Sequence, residues 1–141
     1  MRAREYLSQA YRLEQRINSD IEEAAGLRRM AASISSPSWG EKYGGTRPTD
    51  PPFVRSLIKV MDLEDKINDE IELLVKLKAE IRVVIDMVKN MDEQIVLRYR
   101  YLHNYTWEQI ARKLNAGERT VRRWHNSALE HVVVPENPTI I

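Results

Sequence analysis

The sequence has 141 residues, of which 43% are hydrophobic and 30% are charged, and its formal net charge is +1. This composition argues against a wholly disordered chain, and a single Phe with only five Gly argues against an all-β protein. The absence of cysteine excludes disulfides, thiolate metal sites and a cysteine nucleophile, and it fits a reducing cytoplasm. The sequence also lacks an apolar run of the ~20 residues that a membrane span requires, and its first residues do not resemble a signal peptide, so no membrane partner is expected.

The N-terminal part of the sequence predicts one long helix over about residues 3–34, because small and apolar residues recur with heptad spacing. With Ala3 at position a, the a positions are Ala3, Ala10, Ile17, Ala24 and Ala31, and the d positions are Tyr6, Leu13, Asp20, Leu27 and Ile34. Asp20 interrupts this stripe, and the neighbouring Ile21 is expected to cover the gap. Residues 35–52 contain four Pro and three Gly, and this composition predicts a loop.

A second heptad pattern predicts a longer helix over residues 53–91. Its a positions are all apolar: Phe53, Val60, Ile67, Leu74, Ile81 and Val88. Its d positions are Ser56, Leu63, Glu70, Leu77, Val84 and Met91, and Leu57, Ile71 and Ile85 at e widen the stripe. Such a helix cannot bury its stripe alone, so its partner is the first helix folded back, a second copy of the chain, or both. We therefore interpret residues 1–91 as a helical coiled-coil region that forms a homo-oligomer, either a dimer or a larger assembly.

Residues 92–131 predict three short helices in a basic segment. Its charged residues from 98 onward are Arg98, Arg100, Arg112, Lys113, Arg119, Arg122 and Arg123 against Glu108, Glu118 and Glu130. The first short helix, about 92–103, has Ile95, Tyr99 and Leu102 on one face, or else continues the long helix in the same heptad register. A basic segment within a chain of otherwise balanced charge points to a polyanion as its partner.

The second and third short helices have the spacing of a helix-turn-helix. Thr106 and Gln109 form a capping box at the start of the second helix, which runs to about Leu114. The turn is Asn115-Ala116-Gly117, and the third helix covers about 118–130. A small residue at 111, the turn residue four positions later and Val121 ten positions later match the packing of this motif. The expected core residues are Trp107, Ile110, Ala111, Leu114, Val121, Trp124 and Leu129.

The outer face of the third helix is the predicted DNA-binding site. It consists of Glu118, Arg119, Thr120, Arg122, Arg123 and Asn126. Arginine is suited to bidentate guanine contacts and to phosphate, so this helix is expected to enter the major groove of double-stranded DNA. His125 is a further candidate for a phosphate contact. The simpler alternative is a solvated basic face, and the complete helix-turn-helix core weighs against it.

The run TWEQIARKLNAGERTVRRWHNSALEHV resembles the helix-turn-helix of sigma-70 region 4, with an IA..L step, a turn and then TV.R....AL. The layout of the whole chain is similar to that of phage transcriptional regulators of the RinA/ArpU-like type. The resemblance implies activation of phage or prophage genes, often late ones, in the cytoplasm of a bacterial host cell. It also places Glu118, Arg119, Arg122 and Arg123 where the region 4 helix touches DNA. It leaves open whether RNA polymerase is a direct partner. Two departures stand out: Gly117 replaces the usual Ser or Thr cap, and no counterpart of the sigma domain that opens promoter DNA is visible.

Two alternatives to a sequence-specific transcriptional regulator stay open. A phage DNA-packaging adaptor of the small-terminase kind also joins a helix-turn-helix to an oligomerising helical part, and a structural coiled-coil protein would bind protein instead of DNA. The sigma-like pattern favours regulation over packaging, and the arginine face argues against a structural role.

The sequence does not point to an enzyme, a cofactor or a metal site. It contains no phosphate-binding loop and no nucleophile paired with a base, and His103, His125 and His131 lack the spacing of metal ligands. The tail 132–141 contains two prolines and is expected to pack as an extended strap or to stay loose.

Overall fold

The structure is a computed structural model that describes residues 1–34 and 52–141. The described residues contain helices and no strand, which confirms the predicted all-α class. In chain order the helices are α1 (Ala3–Ile34), α2 (Pro52–Asp86), α3 (Met91–Leu97), a π-helical turn (Arg98–Leu102), α4 (Trp107–Leu114) and α5 (Glu118–His131). Apart from Pro52, the predicted loop lies outside the described residues. Within residues 1–34 and 52–141, no helix combines the length and the apolar character needed to cross a bilayer.

The described chain divides into two compact units, Met1–Glu14 with Leu73–Ile141 and, separately, Gln15–Glu72. We call them the mixed unit and the hairpin unit. The sequence instead suggested a division near residue 91. The difference has a physical cause: the N-terminal part of α1 and the C-terminal part of α2 share one hydrophobic core with the short helices.

The hairpin unit pairs α1 with α2 in opposite directions. Lys66 Nζ lies 3.7 Å from Asp20 Oδ2, and Arg28 pairs with Glu64, so residues later in α1 meet residues earlier in α2. The buried seam contains the predicted a positions Ile17, Ala24, Ala31, Val60 and Ile67, whereas Phe53, the first a position of α2, is 37% exposed. The first helix folded back is therefore one partner of the second, as one of the predicted alternatives required.

A pair of acidic side chains interrupts this seam. Asp20 and Glu70 are only 8% and 9% exposed, whereas Ile21 is 46% exposed. The expectation that Ile21 fills the gap left by Asp20 is therefore wrong: the heptad register keeps the carboxyl group inside and the isoleucine outside. Burial, followed by the proximity of Asp20, raises the pKa of Glu70 above its ordinary value, against the opposing charges of Lys66 and Arg16.

The mixed unit is built around one large core cluster. Its buried residues are Tyr6, Leu7, Ala10, Leu77, Ile81, Val84, Ile85, Val88, Leu97, Tyr101 and Ala128. These residues come from α1, α2, α3, the π turn and α5. The tail closes the cluster as the predicted strap: Val132, Val134 and Ile141 pack against it. Glu80 Oε2 accepts hydrogen bonds from the Tyr6 hydroxyl at 2.7 Å and from the Thr139 N–H at 3.1 Å, which ties the strap to both long helices.

Helix α2 ends earlier than its heptad pattern predicts, at Asp86 instead of residue 91. Asn90 has an extended backbone and its side chain accepts a hydrogen bond from the Glu93 N–H at 3.2 Å, so it starts α3 as an N-cap. The Gln94 side chain donates to the Val88 carbonyl at 3.2 Å, which satisfies a backbone group in the break. Residues 92–103 are therefore not a continuation of the long helix, and Met91, a predicted d position, is 67% exposed.

Candidate nucleic-acid interface

Helix α4 begins with the predicted capping box. The Thr106 hydroxyl accepts a hydrogen bond from the Gln109 N–H at 3.2 Å, and the Gln109 side-chain oxygen accepts one from the Thr106 N–H at 2.9 Å. Two backbone donors that a helix start leaves unpaired are thus satisfied by local side chains. This arrangement fixes the position at which α4 leaves the preceding segment.

The turn between α4 and α5 also forms as predicted. Asn115 adopts the left-handed conformation with φ 53°, and the Ala116 N–H donates to the Ala111 carbonyl at 3.0 Å. Gly117 follows with φ −73° in an extended conformation and provides no side-chain cap for α5. The backbone at Gly117 is therefore one that any residue adopts, and α5 begins without the cap that Ser or Thr would supply.

A small hydrophobic cluster holds α4 and α5 together. Val96, Ile110, Ala111 and Val121 are its buried members, and Tyr99, Tyr105, Trp107, Leu114, Ala116 and Trp124 pack against it. Six of the seven predicted core residues therefore meet in one cluster. The seventh, Leu129, packs against the larger core of the mixed unit, because the C-terminal half of α5 faces the long helices.

The predicted DNA-binding residues lie along the outside of α5. Arg119, Arg122, Arg123 and Asn126 are exposed, and their spacing of three, one and three residues places them on one face of the helix. Glu118 is also exposed and lies 3.8 Å from Arg122. Thr120 is half-buried. The structure therefore presents a continuous basic stripe to solvent, with Thr120 at its edge.

His125 does not belong to this exposed stripe, although the sequence made it a candidate for a phosphate contact. It is only 3% exposed, and its Nε2 lies 2.6 Å from the Tyr101 hydroxyl. Its ring also meets the Trp107 ring edge-on at 4.7 Å. Burial lowers the pKa of His125 to about 4, and the charges of Arg4 and Arg100 act in the same direction, against a hydrogen bond with Asn126. His125 is therefore a neutral core residue that follows Val121 on the inner face of α5.

Arg100 is a potential interface residue outside the predicted site. Its Cζ lies 4.3 Å from the centre of the Trp107 ring, and its guanidinium donates to the Tyr105 carbonyl at 3.0 Å. Arg122 approaches the same ring to 5.7 Å. Trp107 therefore connects an arginine of the π turn with one of the basic stripe. The sequence contained no local signal for this contact, because residues 100, 107 and 122 meet only in the folded chain.

A buried carboxylate links α3 to α5. Glu93 is 6% exposed and accepts hydrogen bonds from Ser127 Oγ at 2.9 Å and from His131 Nδ1 at 2.7 Å. Although burial raises the pKa of Glu93, these hydrogen bonds outweigh it and keep the pKa below its ordinary value. These hydrogen bonds attach the C-terminal half of α5 to α3, and they do not involve the residues of the basic stripe. Among residues 1–34 and 52–141, no three His, Asp or Glu side chains are grouped to hold a metal ion.

Comparison with known proteins identifies the family of the chain. Residues 33–132 match the family described as "Protein of unknown function (DUF1492)". The chain belongs to this family. The DUF1492 match covers all of α2, α3, the π turn, α4 and α5, and so it includes the capping box, the turn and the basic stripe. The search of curated proteins and the search of solved structures found no match.

Proposed function

We propose that this DUF1492 protein is a DNA-binding regulator of transcription whose helix α5 enters the major groove. The observation that carries the proposal is the basic stripe of Arg119, Arg122, Arg123 and Asn126 on the outer face of α5. The capped α4, the left-handed turn at Asn115 and the cluster around Val121 support reading α4 and α5 as a helix-turn-helix. In that motif the second helix is the one that meets the bases.

The stripe has the chemistry for this task. Arg119 and Arg123 are one helical turn apart on the same exposed face, so both guanidiniums reach the same side of α5. A guanidinium pairs in a bidentate manner with guanine O6 and N7, and an asparagine pairs similarly with adenine. Arg122, which also contacts Trp107, is better placed to hold a phosphate.

The resemblance to sigma-70 region 4 and to phage regulators of the RinA/ArpU-like type supports a role in activating phage or prophage genes in a bacterial cytoplasm. On this proposal RNA polymerase is a candidate partner. DNA packaging is the competing role, since a small-terminase adaptor would use the same surface.

We also infer that the long helices associate between copies of the chain. The hairpin unit leaves several large apolar side chains between 40% and 59% exposed: Ile21, Met30, Ile58, Met61 and Ile71. Exposed apolar surface of this kind is typical of an interaction site. Two associated chains would present two copies of α5 to adjacent half-sites, and the two weak contacts would combine.

The decisive experiment selects bound fragments from the parent genome with the purified full-length chain and identifies them by sequencing. Enrichment of promoter-proximal sites supports regulation, whereas enrichment within packaging genes favours the adaptor. The selected site is then titrated with the wild type, Arg119→Ala, Arg123→Ala and the control Arg82→Ala, which removes an exposed arginine of α2. Each stripe variant is expected to lose about 1–3 kcal/mol of binding free energy. Unchanged binding by the Arg119→Ala/Arg123→Ala double variant, with helicity intact, would refute the assignment.

A further inference from the structure

Two arginines from separate elements approach the Trp107 ring beneath α5, and a third arginine lies in the first turns of α1. Arg100 of the π turn and Arg122 of α5 approach the Trp107 ring to 4.3 and 5.7 Å. Arg4, in the first turns of α1, is close enough for its charge to lower the pKa of His125, together with Arg100 and after the larger effect of burial. The start of α1 is a neighbour of the proposed DNA-binding helix, because Tyr6 and Leu7 share one buried cluster with Ala128 of α5.

The positive charges of Arg4 and Arg100 are not neutralised within the described part of the chain. In residues 1–34 and 52–141, no carboxylate lies within 4.0 Å of either guanidinium, whereas Arg122 has Glu118 at 3.8 Å. Arg100 is nevertheless held in place by its hydrogen bond to the Tyr105 carbonyl and by the Trp107 ring. Because the guanidinium of Arg100 is held in place without a carboxylate beside it, this arrangement favours an anionic partner.

An open cavity lies beside Arg100 and is walled in part by α1. It has a volume of about 370 Å³ and is lined by Ser8, Tyr11, Arg100, Tyr101, Asn104 and Thr106. Arg4, Ser8 and Tyr11 follow one another at four and three residues, so they share one face of α1. The nearby carboxylate of Glu14 is already engaged, because it accepts a hydrogen bond from Asn104 and lies 3.9 Å from Lys78. The cavity therefore offers hydroxyl groups and a guanidinium to a ligand.

We propose that Arg4 and Arg100 bind phosphate groups of the DNA backbone beside the segment that α5 reads, so that the start of α1 is part of the DNA-binding surface. This inference rests on the proposed function. DNA is favoured over a free phosphate ion because Arg122 belongs both to the basic stripe and to the surroundings of Trp107. The stripe and Arg100 thus form one basic path, suited to the successive phosphates of a strand.

The test is the salt dependence of DNA affinity, measured for the full-length chain by fluorescence anisotropy between 50 and 200 mM salt. The variants are Arg4→Gln, Arg100→Gln and their combination, with Arg82→Gln as the matched control. Each lost phosphate contact should lower the slope of log K against log [salt] by about 0.9, and the double variant by about 1.8. The loss should be equal on the selected site and on unrelated DNA. Arg100→Lys keeps the charge and should retain most of the slope even if its contact with Trp107 is lost.

The outcomes separate this inference from the proposed function. If the wild type does not bind DNA, the proposed function fails and this inference fails with it. If Arg123→Ala weakens binding while Arg4→Gln and Arg100→Gln keep the wild-type slope, only this inference is overturned. The same conclusion holds if calorimetry shows inorganic phosphate binding that requires both arginines while the DNA slope stays unchanged, because the cavity would then serve a free ion. Thermal unfolding at the wild-type temperature establishes that Arg100→Gln and Arg100→Lys are folded.

Discussion

At the scale of single residues, burial sets the chemistry of His125. The ring is enclosed by Tyr101 and Trp107, and a positive charge there would lose its hydration close to Arg4 and Arg100. The neutral imidazole instead shares a hydrogen bond with the Tyr101 hydroxyl, whose own pKa is raised by burial. His125 stabilises the fold in its neutral form.

This state of His125 predicts a loss of stability in mild acid. The folded chain binds a proton at His125 only near pH 4, whereas the unfolded chain binds it near the ordinary value of 6.5. The unfolded state therefore takes up more protons between these values, and the free energy of unfolding should fall as the pH falls from about 7 to 4. The His125 contribution to this loss is on the order of 3 kcal/mol.

Urea unfolding followed by circular dichroism at pH 7, 5.5 and 4.5 measures this effect. His125→Gln should lower stability at pH 7 and flatten the dependence on pH. His103→Gln removes an exposed histidine of the same unit and should leave the dependence unchanged. An equal dependence in His125→Gln and in the wild type would contradict a buried neutral histidine.

Sequence patterns predicted some of these residues and missed others for one physical reason. Thr106, Gln109 and Asn115 act on their own chain neighbours, so spacing alone was enough to find them. The ring partners of His125, which are Tyr101 and Trp107, lie far away in sequence, and only folding brings them together. Arg100 meets Tyr105 and Trp107 across the turn between two helices, a contact that no periodic pattern encodes. His125 did carry one signal, since it is four residues after Val121 on the buried face of α5, but its polar character suggested a surface position.

At the scale of elements, the starts and ends of the short helices determine the position of α5, the proposed DNA-binding helix. Local groups satisfy the backbone at three of these helix ends: Asn90 caps the start of α3, Thr106 caps the start of α4, and Asn115 ends α4 in the left-handed conformation. The start of α5 at Gly117 is the exception. The end of α2 was missed because apolar residues at Val88 and Ile95 keep the heptad register across the break. Asn90 followed by Glu93 was the available signal for a new helix start.

The uncapped start of α5 predicts that Gly117→Ser stabilises the protein. The φ of −73° suits any residue, and a Cβ added there meets no atom within 4 Å. Serine would accept a hydrogen bond from a free N–H at the start of α5 and would restrict the unfolded chain. The free energy of unfolding should rise by about 0.5–1 kcal/mol.

Gly117→Ala provides the matched control for this substitution, because it restricts the unfolded chain but offers no cap. Chemical denaturation at pH 7 should rank the variants with serine above alanine. If serine and alanine give the same free energy of unfolding, the missing cap of α5 does not limit the stability of the protein.

At the scale of the whole molecule, heptad periodicity specified the helices but not how they are grouped. The all-α class follows from the two apolar stripes, whose a positions are mostly buried. The folding back of α1 was only one of the pairings that these stripes allowed. The division into a mixed unit and a hairpin unit does not follow from them. It depends on Leu97, Tyr101 and Ala128 packing against the ends of the long helices, and no periodic pattern encodes that contact.

The hairpin unit also explains why self-association remains the expectation after α1 and α2 have paired. Two helices can cover one seam, but each keeps an outer face. Ile58 and Met61 of α2 are 46% and 57% exposed and lie three residues apart on that face. Leu74, by contrast, packs against the core of its own chain. A charge at Leu74 would therefore damage the fold, and it could not separate association from stability.

We predict that Ile58→Lys/Met61→Lys reduces the mass of the protein in light scattering towards that of one chain, because four ammonium groups would meet wherever two such faces pack together. Helicity at 222 nm should be retained, since both side chains are largely exposed in the single chain. DNA affinity should fall as well, since each copy of α5 would then bind its half-site alone. Val83→Lys adds a charge at another exposed apolar position of α2, 60% exposed, and should keep the wild-type mass. A wild type that is already monomeric, or a monomeric double variant with full DNA affinity, would show that the long helices do not serve to pair two DNA-binding helices.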